Sequence, residues 1–189
     1  TDVSGNALVA GIFSDTITFG AYTLTTGYEF VAKYDSRGNV LWAKSASGIG
    51  IDEGRSVDAD ASGNVFVTGY FKSPTITFGT TTLINADASG NTEDIFIAKY
   101  DGNGNVLWAK STGGMSNDYG YSVSSDVGGN VFVTGWFRSF TVTFGSTILT
   151  NADISLNTGD FFIVKYDSNG NVLWAKSAGE TAYFDYGYS

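Results

Sequence analysis

The heptapeptide Gly38-Asn39-Val40-Leu41-Trp42-Ala43-Lys44 occurs three times without change and decides how the chain folds. The other copies are Gly104–Lys110 and Gly170–Lys176, and successive copies begin 66 residues apart. Self-similarity at a fixed period indicates a tandem-repeat architecture. The 189-residue chain is therefore predicted to be one repeat array, with units of about 1–56, 57–122 and 123–189.

Within a unit, short apolar runs alternate with turn signals. Val131–Phe137 and Phe161–Tyr166 are dense in β-branched and aromatic residues, which favours strands. Thr141–Phe144 and Thr147–Leu149 flank a glycine and predict a short hairpin. No stretch keeps a 3.6-residue apolar period over the length of a typical helix. The predicted fold class is all-β.

The central strands are apolar on both faces, as in Val131–Val133 and Phe161–Val164. A sheet with two apolar faces must lie between two neighbours, and β-propeller blades stack in this way. A single two-layer sandwich is disfavoured, because three near-identical units would each need the same surroundings. A solenoid is the alternative.

Three elements in fixed order carry a family resemblance: Gly129–Gly135, Phe162–Asp167 and Asn169–Trp174. They resemble the bacterial β-propeller repeats called SBBP, with the pattern G-N-V-Y-V-T-G, then F-V-A-K-Y-D, then G-N-L-L-W. The resemblance spans all three units and implies four-stranded blades of surface or secreted bacterial proteins, with no catalytic motif. The chain departs from the simple repeat in an extra hairpin, represented by Thr75–Leu83.

Composition excludes several classes of site. The chain has no cysteine and no histidine, so disulfides, thiolate zinc sites and Ser-His-Asp triads are impossible. Its net charge of −9 repels phosphate backbones, so we expect no nucleic-acid partner. No apolar run approaches the roughly 20 residues of a membrane span.

Two polar loops are candidate cation sites. Asn85–Thr92 and Asn151–Thr158 crowd carboxylate and amide oxygens, which suit Ca²⁺ or sugar hydroxyls, whereas the first unit lacks this loop. A solvated polar loop without a ligand explains the same composition. The predicted metal ligands are Asp87, Asn91, Asp94, Asp153, Asn157 and Asp160.

The aromatic residues fall into two groups. Trp42, Trp108 and Trp174 occupy one repeat position, which favours packing between blades over ligand binding. Aromatic residues outside that series are the candidate ligand-binding residues, and these are Trp136, Tyr70 and Phe140. The Asp-x-x-Gly-Asn segments that begin at Asp35, Asp101 and Asp167 predict side-chain-stabilised turns rather than calcium loops.

The predicted function is a non-enzymatic, extracellular or cell-surface module for adhesion, display or ligand binding. The alternative is a lectin or a fragment of a glycan-active enzyme, with a glycan as partner. Asp185–Ser189 matches Asp118–Ser122, and Asp2–Asn6 matches Asp126–Asn130, so we expect an incomplete unit at each end. Known propeller rings begin at about four blades. Further blades of the same parent chain, or a second copy, are therefore the expected partners.

Overall fold

A computed structural model describes residues 1–181 and 183–187, and its regular structure over that part of the chain consists of seventeen β-strands. The strands are β1 (Ala7–Ile12), β2 (Ile17–Phe19), β3 (Tyr22–Leu24), β4 (Glu29–Tyr34), β5 (Val40–Ser45), β6 (Asp52–Ala59), β7 (Val65–Phe71), β8 (Thr75–Phe78), β9 (Thr81–Ile84), β10 (Asp94–Tyr100), β11 (Val106–Thr112), β12 (Asp118–Ser125), β13 (Val131–Phe137), β14 (Thr141–Phe144), β15 (Thr147–Thr150), β16 (Asp160–Tyr166) and β17 (Val172–Ala178).

The strands form three antiparallel sheets, one for each repeat. Their orders are β1-β4-β5, β6-β7-β10-β11 and β12-β13-β16-β17, and we call them the first, second and third blades. Three separate two-stranded hairpins, β2–β3, β8–β9 and β14–β15, accompany them. The all-β prediction is confirmed, and the repeated four-stranded sheets are compatible with propeller blades. The three sheets do not close into a ring within the described residues.

The predicted central strands lie at the centre of their blades. β7 pairs with β6 and β10, and β13 pairs with β12 and β16. Every residue of β7 and β10 is buried, which the two apolar faces predicted. In β16 buried and partly buried residues alternate instead, because within the described part of the chain only one face of the third blade is covered by another blade.

Apolar side chains from adjacent blades form the core. Val31 and Trp42 of the first blade pack with Phe71 and Phe96 of the second. Phe66 and Ile95 of the second blade belong to one cluster with residues of the third, among them Val133, Phe137 and Phe162. Complete burial of one such side chain stabilises the fold by about 1.5–3 kcal/mol. The blades are therefore held together face to face by hydrophobic packing.

A glycine at the centre of β7 permits this close pairing. A Cβ on Gly69 would lie 1.8 Å from the Glu53 carbonyl oxygen on β6. Gly135 has the same relation to Tyr119 on β12, at 1.9 Å. Any other residue at either position would push the first strand of the blade away.

The hairpins lie at the outer side of each blade and fill the space beside it. Phe78 of the β8–β9 hairpin packs on Phe96, with ring centroids 5.1 Å apart. The Thr112 hydroxyl of the second blade donates to the Thr143 carbonyl oxygen of the next hairpin, at 2.7 Å. The hairpin predicted from the sequence is therefore confirmed and bridges neighbouring blades.

According to strand pairing, one blade ends and the next begins within segments 46–51 and 113–117. These segments precede the boundaries between repeat units that were predicted from the sequence. β6 and β12 each cross one of those boundaries. A repeat in sequence has no preferred starting point, whereas hydrogen bonding assigns both strands to the blade that follows.

The Asp-x-x-Gly-Asn segments form turns at one rim of the blades, here called the turn rim. The Asp101 carboxylate accepts hydrogen bonds from the backbone N–H groups of Asn103 and Asn105 and from the Asn105 side chain, at 2.8–2.9 Å. Gly104 has a φ of +80°, in the left-handed region that glycine adopts without strain. The turn interpretation of these aspartates is confirmed.

Candidate functional site

The rim opposite the turn rim carries the connections that differ most between repeats. It comprises segments 46–51, 72–74, 85–93, 113–117, 138–140 and 151–159, and we call it the loop rim. The three ligand-binding candidates lie here, at or just after the ends of β7 and β13.

Two of these candidates are joined by a third aromatic residue. The rings of Tyr70 and Tyr119 are 4.6 Å apart, and those of Tyr119 and Trp136 are 4.8 Å apart. Tyr70 is 9 % exposed and Trp136 is 8 % exposed, so their ring faces contact protein. Phe140 lies apart from this row and is 52 % exposed. The ligand role of these residues stays a prediction.

Charged side chains form hydrogen bonds with the tyrosine hydroxyl groups of this row of aromatic rings, which consists of Tyr70, Tyr119 and Trp136. The Tyr70 hydroxyl donates to Glu53, and Arg55 donates to the Tyr70 hydroxyl at 3.1 Å. Arg55 also forms an ion pair with Glu53 at 3.2 Å. Burial and the Glu53 carboxylate raise the pKa of Tyr70, so its hydroxyl remains a hydrogen-bond donor at neutral pH.

The Tyr119 hydroxyl is held in a similar way. It donates to Glu93 at 3.3 Å and accepts from the Asn117 amide at 3.0 Å. The row is therefore an ordered amphipathic structure, not an open aromatic platform.

The loop rim has an accessible groove at the junction of the second and third blades. It has a volume of about 290 Å³ and is lined by Gly114, Ser139 and Leu156 together with two exposed apolar residues. Those two are Met115, 74 % exposed, and Phe140. The first junction has a counterpart of about 310 Å³, lined by Ile49 and Pro74 among others.

Buried carboxyl groups lie beneath these junctions. Burial raises the pKa of Asp118 to about 7, with a further contribution from Asp94. Burial also raises the pKa of Asp94 to about 6 and that of Glu29 to about 8. One oxygen of Asp94, one of Glu29 and one of Asp160 are buried without a hydrogen-bond partner.

The predicted cation ligands are engaged within their own loops. The Asp153 carboxylate accepts hydrogen bonds from the backbone of Ser155, Asn157 and Thr158 at 2.9–3.1 Å. A further hydrogen bond from the Ser155 hydroxyl is the main reason that the pKa of Asp153 is lowered to about 2, and the backbone hydrogen bonds add to it.

The remaining cation candidates form similar loop contacts. Asp87 accepts from Ser89, and the Asn91 amide donates to the Ser89 hydroxyl at 2.6 Å. Asp94 and Asp160 each accept from a loop backbone N–H, at 2.7 and 2.9 Å. Over residues 1–181 and 183–187, no three acidic side chains gather as metal ligands would. Calcium binding stays a prediction.

Tyr119, Met115 and the buried acids Glu29 and Asp118 were not predicted from the sequence, whereas Asp94 and Asp160 were predicted as metal ligands. Tyr119 replaces Glu53 at the equivalent repeat position, so the repeat alone gave no aromatic signal there. Met115 is the only methionine in the chain, and a lone methionine in a loop was the one available sign of an exposed apolar contact.

No family model matches the chain. An uncharacterized WD repeat-containing protein of Acanthamoeba polyphaga mimivirus is 27 % identical over 141 residues, which are 72 % of this chain and 10 % of that protein. The regulatory protein FlaEY of Caulobacter vibrioides is 30 % identical over 107 residues, 57 % of this chain and 11 % of that protein. The chain thus spans about a tenth of the length of these relatives.

Among solved structures, a protein of unknown function from Bacteroides caccae is 13 % identical, with a TM-score of 0.26 and coverage of 92 % of this chain and 93 % of that one. The distant WD-repeat similarity and the repeated antiparallel sheets fit a β-propeller-type repeat. The finer resemblance to SBBP repeats stays a prediction. The described residues include no helix long and apolar enough to cross a membrane.

Proposed function

We propose that this chain is a non-enzymatic interaction module that binds another protein at the loop rim. The supporting observation is the groove between the second and third blades, where Met115 and Phe140 are exposed side by side with polar backbone. Methionine adapts to differently shaped apolar partners, and exposed apolar patches mark interaction sites. The similarity to a WD repeat-containing protein and to a regulatory protein agrees with such a role.

Electrostatics supports a partner of basic character. The chain carries a net charge of −9, and the loop rim itself carries both signs, with Asp87, with Glu93 paired to Lys72 at 3.9 Å, and with Arg138. A chain that is acidic as a whole attracts basic segments and repels acidic ones. The partner is therefore a protein segment that presents an apolar side chain between basic residues. Display outside the cell, as the sequence predicted, remains part of this proposal.

Peptide display against the immobilised chain tests the proposal. We expect enriched peptides with an apolar residue flanked by Lys or Arg, whose affinity falls at least about 30-fold with Phe140→Ser, the loss typical of an interface hot spot. Val127→Ser is the matched control, because Val127 is 96 % exposed and follows β12 at the turn-rim end of its blade.

The glycan-binding alternative is tested in parallel on a glycan array. Specific glycan binding that Phe140→Ser abolishes, without any enriched peptide, would replace the proposal by the lectin function. Absence of both ligands, or equal loss in the Val127→Ser control, would contradict the assignment of the loop rim.

A further inference from the structure

Two polar pockets lie at equivalent places in the two blade junctions, on the outer side next to the turn rim. Each is bounded by the last strand of one blade and by a hairpin and a turn of the next blade. The pocket between the first and second blades has a volume of about 320 Å³, and its lining includes Lys44, Gly79, Tyr100, Gly104, Asn105 and Val106. The pocket between the second and third blades has a volume of about 340 Å³, and its lining includes Lys110, Gly145, Tyr166, Gly170, Asn171 and Val172. These two sets are related, residue by residue, by the 66-residue repeat.

A lysine without an ionic partner lines each pocket. Lys44 and Lys110 are exposed, and no ion pair or hydrogen bond within the described part of the chain involves either ammonium group. The Lys44 stem lies across the turn of the second blade, where its Cε would be 3.2 Å from a Cβ on Gly104. Among the described residues no acidic side chain lines either pocket, although the chain has 19 Asp and Glu residues. The two pockets are therefore places where this acidic chain can accept a negative charge.

A buried tyrosine hydroxyl without a protein partner also lines each pocket. Tyr100 is 2 % exposed and Tyr166 is 5 % exposed. Within residues 1–181 and 183–187 neither hydroxyl forms a hydrogen bond, and neither is fully enclosed, so each is accessible from its pocket. Burial raises the pKa of both hydroxyl groups, with a contribution from Glu29 at Tyr100, so both remain hydrogen-bond donors. A buried donor without a partner is costly, and a bound ligand would remove that cost.

An asparagine supplies an acceptor at each site. The Asn105 side-chain N–H donates to Asp101 at 2.8 Å, and the Asn171 side-chain N–H donates to Asp167 at 2.9 Å. Each amide oxygen is therefore left to accept a hydrogen bond from a ligand hydroxyl. An ammonium group, a phenol and an amide oxygen together complement a ligand that carries both a negative charge and hydroxyl groups.

We propose that each pocket binds one small carboxylate that also carries hydroxyl groups, the chemistry shared by acidic sugars and open-chain hydroxy acids. The lysine ammonium group pairs with the carboxylate, the tyrosine hydroxyl donates to one of its oxygens, and the asparagine amide oxygen accepts from a ligand hydroxyl. One lysine balances one negative charge, which favours a carboxylate over a phosphate. Ligand pockets measure about 300–1,000 Å³, and these two lie at the small end of that range. The site is separate from the proposed protein-binding surface, because neither the lysines nor the tyrosines line the loop-rim groove.

Two-dimensional amide NMR titration of the full chain tests the proposal with three small molecules. Glucuronate is a ring sugar with a carboxylate, gluconate is an open-chain hydroxy acid, and glucose is the neutral match of glucuronate. We expect at least one of the two acids, and not glucose, to shift the backbone amide signals of Gly104 and Gly170 at millimolar concentration. Glucuronate alone would assign an acidic sugar, gluconate alone an open-chain acid, and both together a site that recognises the shared groups without requiring a ring.

Variants of the second pocket distinguish this site from binding elsewhere. Lys110→Met removes the charge and keeps the stem, and Tyr166→Phe removes only the hydroxyl, which should not lower the melting temperature. Each is expected to raise the dissociation constant measured at Gly170 at least about 10-fold, the loss of one hydrogen bond to a charged group, while binding at Gly104 persists. Arg37→Met is the matched control, because it removes the same charge from the turn rim and Arg37 lines neither pocket.

Several results would overturn the proposal: equal binding of glucose, no shift with either acid, or variants that bind like the wild type. A loss of equal size at both pockets in Lys110→Met would do the same, because it would indicate general charge attraction. If Lys110→Met does not fold, Tyr166→Phe decides alone. Failure at these pockets would leave peptide binding at the loop rim unaffected, since that binding depends on Phe140.

Discussion

Trp108 is a residue whose removal is expected to reduce stability at a blade junction. Its ring packs on Phe66 and Tyr166, and its indole N–H is bonded across the junction. Trp108→Ala should lower the free energy of unfolding toward the lower end of the range of about 3–5 kcal/mol for large aromatic deletions, because the ring is only partly buried. Trp174→Ala, measured by denaturant melts on the monomer, should cost under about 1 kcal/mol. Equal losses would contradict the junction role of Trp108.

The buried acids predict that acid stabilises the fold. Glu29, Asp94 and Asp118 have pKa values raised to about 8, 6 and 7, above those of an unfolded chain near 4, so the folded state binds more protons between pH 4 and 8. Stability from these neutral carboxyl groups is complete below about pH 4 and is lost as pH rises through 6 to 8. The melting temperature should therefore be higher at pH 5 than at pH 8.

Asp118→Asn should reduce this difference, since the amide cannot ionise. Asp126→Asn is the matched control. The hydrogen bond from the Asn130 side-chain amide is the main reason that the pKa of Asp126 is lowered to about 2, so Asp126 stays ionised throughout this window. A melting temperature that rises from pH 5 to pH 8 in the wild type would contradict the burial of these acids.

At the level of the strands and loops, sequence predicted the regular elements well. β13 and β16 follow from the apolar runs Val131–Phe137 and Phe161–Tyr166, and the β14–β15 hairpin follows from its threonines and central glycine. The position of that hairpin against a neighbouring blade could not be predicted, because it depends on contacts with residues about 30 positions away. The loop-rim groove was missed for the same reason, apart from Phe140.

The polar loops give an element-scale prediction about calcium. Both carboxylate oxygens of Asp153 already accept hydrogen bonds from loop N–H or hydroxyl groups, which a bound cation would have to displace. Millimolar calcium should therefore leave the melting temperature unchanged, in the wild type and in Asp153→Asn alike. A calcium-dependent rise that Asp153→Asn removes would establish the cation site predicted from the sequence.

For the whole molecule, position in the array decides burial more than local sequence does. The second blade is covered on both faces, and its β7 and β10 are buried throughout. The third blade has the same strand sequence pattern, but no other blade of the described residues covers one of its faces, so β17 is mostly exposed. The same strand sequence is therefore buried to different extents according to the neighbouring blades.

The graded exposure of the heptapeptide tryptophans has an optical consequence. Trp42 is almost fully buried, Trp108 is partly buried and Trp174 is exposed to solvent. The indole rings of three identical heptapeptides therefore fluoresce in environments of three different polarities. The steady-state fluorescence of these three residues is accordingly a superposition, with Trp42 at the blue edge and Trp174 at the red edge, and the buried Trp136 adds a further blue component. Collisional quenchers reach the red component first, so quenching ranks the heptapeptide tryptophans by their access to water.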